Sequence, residues 1–154
     1  MSIVTILDTD VINLTLDKDK KIFNVNLLDD TPYEEKGFLE GLEYFKTTWT
    51  YINTESNKYH LLINLGLGKK ENELPLHAYI KLIQVITDLN SIFVNCCHSS
   101  CILSEGSEKW QSAYNLITKL WNPPDRRPLL FTQDQDEVNK FFQSNKIARP
   151  QTLS

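Results

Sequence analysis

Alternating apolar and polar positions near the start of the chain predict β-strands. Two groups of apolar residues are each separated by single residues: Ile12, Leu14 and Leu16, and then Phe23, Val25 and Leu27. This is the period-two pattern of a strand with one buried face. The polar run 17–20 lies between the two groups and predicts a turn, so we expect an antiparallel hairpin. A further strand, at the edge of the same sheet, is predicted over Ile3–Leu7.

After the hairpin, the spacing of apolar residues changes to steps of three and four, which is the period of a helix. Thr31, Pro32 and Glu34 predict its start, because they supply a capping hydroxyl, a proline at the first helical position and a glutamate three residues after the cap. One stripe of this first helix is apolar: Phe38, Leu42, Phe45, Trp49 and Ile52. The polar residues 53–58 end the helix.

The middle of the chain repeats this change of period. Tyr59–Leu65 is a nearly continuous apolar run, which is typical of a central strand covered on both faces. Pro75 begins a second helix. The residues predicted to face inward on it are Leu76, Tyr79, Ile80, Ile83, Ile86 and Leu89. Ile92–Val94 is then predicted to begin another buried strand, which extends to Cys97.

The last third of the chain predicts two more helices with a short strand, Leu129–Phe131, between them. Apolar residues at helical spacing mark the third helix, which Pro123 and Pro124 end: Trp110, Ala113, Tyr114, Ile117 and Leu120. Asp134 and Glu137 cap the fourth helix. Its buried residues are predicted to be Val138, Phe141 and Phe142. Residues 144–154 show no periodicity and are predicted to form a flexible tail.

These elements predict an α/β fold in a single domain, residues 1–143. Strands joined through helices of this length run parallel with right-handed crossovers, and the initial hairpin adds an antiparallel pair. We therefore expect one mixed sheet packed with about four helices. The length of 154 residues fits one domain.

The order of elements resembles the STAS superfamily, which includes anti-sigma-factor antagonists and the cytoplasmic domains of sulfate transporters. The segments that carry the likeness are the strand Leu61–Leu65 with the loop and helix after it, the strand Arg127–Phe131, and the final helix from Asp134 through Val138 to Phe141 and Phe142. The likeness covers Val11 to Asn145 and is one of topology and pattern.

This resemblance implies a mostly non-catalytic domain that binds proteins or, occasionally, small ligands. Many STAS domains are switched by phosphorylation of a Ser or Thr at the start of the helix after the central strand. Between Lys58 and Val85 the present sequence has no Ser or Thr, so the implied phosphorylation switch is absent.

Charge and cysteine content narrow the expected partners and compartment. Sixteen basic and twenty acidic side chains give a net charge of −4, which argues against a nucleic-acid partner. No apolar run approaches the roughly 20 residues of a membrane span, and residues 1–16 lack the basic start of a signal peptide. The three cysteines lie within six positions, unlike a secreted disulfide framework, so we expect the cytoplasm or another reducing intracellular compartment.

The segment from Cys96 to Cys101 is the first candidate for chemistry, because it combines three thiols with His98 and Ser99. A zinc site usually draws its four ligands from two separated pairs, whereas here the ligands are adjacent. A cysteine nucleophile below a helix N-terminus is the second interpretation, but Glu105 stands where such loops carry an anion-binding arginine. A redox pair is disfavoured because Cys97 and Cys101 have the wrong spacing.

The interpretation with the fewest requirements is structural. Cys96 and Cys97 would finish a buried strand as small apolar residues, and His98 to Ser100 would form a polar turn. Ser104 or Ser107 would then cap the next helix.

The second candidate for chemistry is the loop containing Gly66, Gly68, Lys69 and Lys70, which follows the central strand. Glycines and lysines at this place can bind an anion, but the spacing is not that of a phosphate-binding loop, and a polar turn explains it as well. Loops at the carboxyl ends of parallel strands converge on one rim. The rim is predicted to comprise residues 66–72, 97–100 and 132–133, with Cys97, His98 and Ser99 among its binding residues.

Together these observations predict a non-catalytic protein-interaction or regulatory module without a cofactor, acting through protein–protein contact or self-association. A small cysteine-dependent enzyme and a metal-binding protein, both using the Cys96–Cys101 segment, remain as alternatives.

Overall fold

The computed structural model describes residues 3–9, 12–27, 35–64, 76–103 and 128–147. Within the second helix, the side chains of Leu76, Ala78, Tyr79 and Ile83 are not described. Six strands and four helices lie in these ranges: β1 Ile3–Asp8, β2 Ile12–Asp17, β3 Ile22–Leu27, α1 Glu35–Thr54, β4 Tyr59–Asn64, α2 Leu76–Asp88, α3 Asn90–Cys96, β5 Cys97–Leu103, β6 Leu129–Thr132 and α4 Gln135–Ser144. The predicted starts of the first two helices, Thr31–Glu34 and Pro75, and the predicted helix around Trp110–Leu120 lie outside the described residues.

The strands form one mixed sheet in the order β1-β2-β3-β4-β5-β6. The first two pairings are antiparallel, and the three pairings from β3 to β6 are parallel. The predicted hairpin is confirmed, with a register that runs from Ile12 opposite Leu27 to Asp17 opposite Ile22. The edge strand β1 and the α/β class with an antiparallel start are confirmed as well.

A tight turn at residues 18–21 connects β2 to β3. The Asp17 carboxylate accepts hydrogen bonds from the backbone N–H groups of Asp19 and Lys20, at 3.1 and 3.0 Å. Lys21 has a φ of 59°, which is the left-handed region that a non-glycine residue rarely adopts. The turn therefore fixes the backbone from which Lys20 and Lys21 project.

Helix α1 buries the predicted apolar stripe against one face of the sheet. All five residues of the stripe are buried: Phe38, Leu42, Phe45, Trp49 and Ile52. Gly41 lies on the same side, and a Cβ at this position would be only 2.8 Å from Cδ1 and Cγ2 of Ile12. The absence of a side chain at Gly41 thus lets the helix approach β2 closely.

Four aromatic side chains form the centre of this core: Phe23, Phe45, Trp49 and Phe93. The ring of Trp49 lies 5.4 Å from that of Phe23 and 5.0 Å from that of Phe93, measured between centroids. Among the described residues, nothing accepts a hydrogen bond from the buried indole N–H of Trp49. The cluster joins β3, α1 and α3 through contacts that are almost entirely apolar.

The segment that was predicted to begin a strand at Ile92 is instead the short helix α3, and β5 begins only at Cys97. Leu89, Phe93 and Cys96 are buried, whereas Val94 is 49% exposed. Burial at steps of four and three is the helical period, and a short apolar run does not distinguish it from a strand. The apolar contacts of Phe93 with α1 stabilise the helix.

One inward position of α2 was also predicted wrongly. Ile80 is exposed, while Leu82 and Ile86 are buried, so the inward face is rotated from the predicted one at this point. Ile86 and Leu89 are buried as expected. The reason is that α2 is apolar on more than one side, which leaves the periodicity without a unique inward direction.

Helix α4 covers the opposite face of the sheet. Asp134 caps it by accepting a 2.9 Å hydrogen bond from the N–H of Asp136, as the sequence predicted. Val138 and Phe142 are buried with Cys101 and Leu103, and Phe141 packs against this second core while remaining partly exposed. Leu61 and Ile63 belong to the first core and Leu62 to the second, which confirms that β4 is covered on both faces.

Candidate functional site

A buried histidine–serine pair joins the beginnings of β4 and β5. Nδ1 of His60 lies 2.6 Å from Oγ of Ser99. His60 is 4% exposed and Ser99 is fully buried, although the strands on which they lie are otherwise rich in apolar residues. The pair forms because the two residues are opposite each other in the parallel ladder, next to an irregularity between Tyr59 and His60. Each polar side chain thereby has a partner inside the protein.

The surroundings of this pair keep the imidazole of His60 neutral. Burial, with a further contribution from His98, lowers the pKa of His60 to about 4. The ring of Phe142 stacks on the imidazole at 4.6 Å, and the ring of His98 lies 5.5 Å away, edge to face. A cation at this position would lose hydration without gaining an opposite charge, so the neutral form is favoured.

His98 connects the pair to the carboxyl end of α4. Burial and the nearby Lys58 lower the pKa of His98, while its hydrogen bonds to the backbone of Asn145 and Lys146 act in the opposite direction. Asn145 in turn caps the helix, donating its N–H and its side-chain amide to the carbonyl of Phe141. The tail predicted over residues 144–154 begins with Ser144, the last residue of α4, and Asn145 and Lys146 are connected to β5 through His98. Residues 148–154 lie outside the described residues.

His60 lies in a groove between α4 and the turn that connects β2 to β3. The groove has a volume of about 810 Å³. Three lysines are among its lining residues: Lys20, Lys21 and Lys146. Ile22, Phe142 and Ile147 supply apolar surface, and Asp19 is the acidic residue of the lining. The groove thus combines positive charge with apolar surface, which is the composition of many small-molecule sites.

The predicted rim is wrong in one respect. Cys97, His98 and Ser99 form the beginning of β5, at the amino ends of the parallel strands. Thr132 ends β6 and so lies at the carboxyl ends of these strands, on the opposite side of the sheet's length. Cys97, His98 and Ser99 are also strand residues and not the predicted turn. The cause is α3, which replaces the first part of the predicted strand and shifts this segment from the end of a strand to its start. Gly66, Gly68, Lys69 and Lys70 lie outside the described residues.

The cysteines do not have the environment of a nucleophile. Cys96, Cys97 and Cys101 are all buried thiols outside any disulfide. The Sγ atom of Cys97 lies 3.4 Å from Oγ of Ser100. Burial, together with the charge of Glu137, raises the pKa of Cys101 to about 12, whereas a reactive thiol requires a lowered pKa. In the described part of the chain, no group of three or more His, Cys, Asp or Glu side chains is arranged to hold a metal ion.

We expect all three thiols to resist alkylation in the folded protein. Incubation with iodoacetamide at pH 7.5 for several minutes should leave the native mass unchanged, because the thiols are buried and Cys101 stays protonated. The same incubation in denaturant should add three carbamidomethyl groups, which intact-mass spectrometry counts. Rapid modification of one cysteine in the native state would contradict this and would favour the cysteine-dependent enzyme.

Sequence reasoning missed His60 as part of a site. Its one local signal is that a histidine interrupts the apolar run Tyr59–Leu65, where an unpaired imidazole would be costly. That signal predicts a buried partner but does not identify it. Ser99 is 39 positions away, and only the pairing of β4 with β5 brings the two side chains together.

Comparisons with known proteins give no match to a protein family, a curated protein or a solved structure. Among the described helices, none has both the length and the apolar character needed to cross a membrane. The resemblance to the STAS superfamily therefore stays a prediction.

Proposed function

We propose that the protein is a non-catalytic interaction module that self-associates through its edge strand β1, in a reducing compartment. The resemblance to STAS domains supports the class of function. The three buried cysteines, which form no disulfide, support the compartment.

The observation that carries the proposal is the exposure of β1. This strand pairs with β2 on one side, and it is terminal in the strand order of the described sheet. Two large apolar residues of β1 are exposed to solvent: Ile3 is 54% exposed and Val4 is 39% exposed. An edge strand of this kind offers backbone N–H and C=O groups to a strand of another chain.

A second copy of the same chain is the partner that the sequence of β1 favours. The strand Ile3–Asp8 contains no lysine and no proline, the residues with which edge strands commonly prevent pairing. Two β1 strands related by a two-fold axis would pair antiparallel and bring their exposed apolar side chains together. The register irregularity between Thr5 and Leu7 confines regular pairing to Ile3–Thr5, so we expect a weak dimer.

The buried polar groups support a non-catalytic role. Ser99 is hydrogen-bonded to an imidazole, as a serine nucleophile would be, but it is fully buried and has no access to a substrate. The thiols are buried in the same way. A nucleophile needs a reactive atom that a substrate can reach.

Substitution of Val4 by lysine tests this proposal. A charge on the edge strand should prevent pairing, because it would be desolvated between two copies. We expect the wild-type protein to shift from monomer to dimer between about 10 µM and about 1 mM, which corresponds to a weak association free energy of about 4–7 kcal/mol, and Val4→Lys to remain monomeric over that range. Sedimentation velocity measures both.

Tyr51→Lys is the matched control, since Tyr51 is also a large apolar side chain, 55% exposed, but lies on α1. It should dimerise like the wild type. A wild-type protein that is monomeric at the highest concentration, or a dimer that Tyr51→Lys disrupts and Val4→Lys does not, would refute the proposed interface.

A further inference from the structure

The groove beside His60 differs in charge from the rest of the protein. The whole chain has a net charge of −4, whereas the groove lining contains three lysines and one aspartate. When the nearby Asp17, which closes the turn, is also counted, three lysines stand against two aspartates. The lysines therefore form a local excess of positive charge in an acidic protein, which favours the approach of anions.

The lysines project from anchored backbone. The turn that holds Lys20 and Lys21 is closed by Asp17, and the carbonyl of Lys21 accepts a 2.8 Å hydrogen bond from the N–H of His60. The ammonium of Lys21 lies 5.1 Å from the centre of the ring of Tyr59, a residue of the first core, so it is already engaged toward the other face of the sheet. On the other side of the groove, His98 hydrogen-bonds the backbone of Lys146. An anchored backbone reduces the entropy that these residues lose when they bind a ligand.

Apolar side chains form the other part of the groove lining. Ile22, Phe142 and Ile147 line it, and Phe142 is fixed by stacking on His60. The carbonyls of Phe141 and Phe142 at the end of α4 already accept the N–H of Asn145. The negative end of this helix is thus partly satisfied, and the lysines dominate the charge that a ligand meets.

We propose that this groove binds a small organic anion with an apolar or aromatic body, such as an aromatic carboxylate, sulfonate or phosphate monoester. Lys20 and Lys146 attract the anionic group, and Ile22, Phe142 and Ile147 contact the body. The volume of about 810 Å³ is in the range that accommodates a drug-sized molecule. The site lies at the amino ends of β4 and β5, and its lining contains no residue of β1, although Ile3 of β1 pairs with Asp17 beside the turn. Binding in the groove therefore does not require the proposed self-association.

The test uses the fluorescent anion 8-anilinonaphthalene-1-sulfonate, together with N-phenyl-1-naphthylamine, which has the same rings and no charge. We expect saturable binding of the sulfonate to one site of the folded protein. The double variant Lys20→Ala, Lys146→Ala should bind the sulfonate about tenfold more weakly, since two partly exposed ion contacts are lost. Its affinity for the neutral probe should change less than twofold.

The matched control is Lys36→Ala, Lys46→Ala, which removes two lysines from α1 on the other face of the sheet. It should bind both probes like the wild type, with an unchanged far-ultraviolet circular dichroism spectrum in every variant. Imidazole resonances give a second readout: the sulfonate should shift those of His60 and His98 but not that of His77, which lies on α2. Non-saturable binding, equal losses in the two double variants, or unshifted His60 and His98 resonances would overturn the proposal.

Discussion

Replacing Trp49 by alanine should destabilise the fold by about 4 kcal/mol, because truncation of a buried aromatic side chain removes its contacts and leaves a cavity. Trp49 is fully buried and contacts Phe23, Phe45 and Phe93, so its ring connects α1 with β3 and α3. A domain of this size has about 5–15 kcal/mol of total stability, so this loss is a large part of it. Urea denaturation followed by circular dichroism measures the free energy of unfolding.

Two further variants show how much of this loss in stability comes from packing of the ring. One controls for substitution in the same helix, and the other controls for loss of the indole N–H. Tyr51→Ala changes an exposed aromatic residue of the same helix and should cost less than about 0.5 kcal/mol. Trp49→Phe should cost only about 1–2 kcal/mol, because it also removes a buried donor that lacks an acceptor among the described residues. If the free energy of unfolding of Trp49→Ala were within about 1 kcal/mol of the wild-type value, the aromatic cluster would not be the centre of the core.

Acidification should weaken the fold through His60. Its pKa is about 4 in the folded protein and 6.5 in the unfolded chain, so both forms are neutral above pH 6.5. Between pH 6.5 and pH 4 only the unfolded chain takes up the proton, and stability falls as pH decreases. Below pH 4 both forms are protonated and this loss stops. The difference in pKa corresponds to about 3 kcal/mol in total.

His60→Gln should flatten this part of the pH profile by about 2–3 kcal/mol, because glutamine is polar but does not titrate. Urea denaturation at pH 7, 5.5 and 4.5 measures the profile. The ionisable groups near His60 are His98 and the groove residues Asp19, Lys20, Lys21 and Lys146. His98 has a lowered pKa and acts in the same direction, so His98→Gln should also flatten the profile.

The matched control for this prediction is His77→Gln, since His77 lies exposed on α2. This variant should keep the steep wild-type profile. Direct titration of the imidazole resonances gives an independent check, because that of His60 should have a midpoint near pH 4. A midpoint near pH 6.5 would show that the imidazole is hydrated, and the buried pair with Ser99 would then be wrong.

Elements with a long periodic pattern could be predicted from sequence. Helix α1 has 20 residues, enough to repeat its apolar step several times, and its stripe from Phe38 to Ile52 is buried as predicted. The hairpin is specified by two alternating runs and the turn between them, and α4 by the cap at Asp134. In each case the decisive signal lies within a few residues of the element itself.

The seven residues of α3 show why shorter elements were not predicted correctly from the sequence. Over so few positions, the apolar spacing of Leu89, Phe93 and Cys96 fits both a helix and a short buried strand. Its placement is decided by the packing of Phe93 against Phe45 and Trp49, which are more than 40 positions away in the chain. Because α3 was predicted as a strand, Cys97, His98 and Ser99 were predicted at the carboxyl end of that strand, whereas they lie at the amino end of β5.

By itself the sequence determined the mixed α/β class, the hairpin with its edge strand, and the buried faces of α1 and α4, because these depend on local periodicity. Only the tertiary structure decided the partner of His60, the protection of the thiols, and the groove between α4 and the β2–β3 turn. These features arise where segments distant in the chain meet. A contact between distant residues is fixed by strand pairing and helix packing, and it leaves no repeating pattern in the amino-acid sequence.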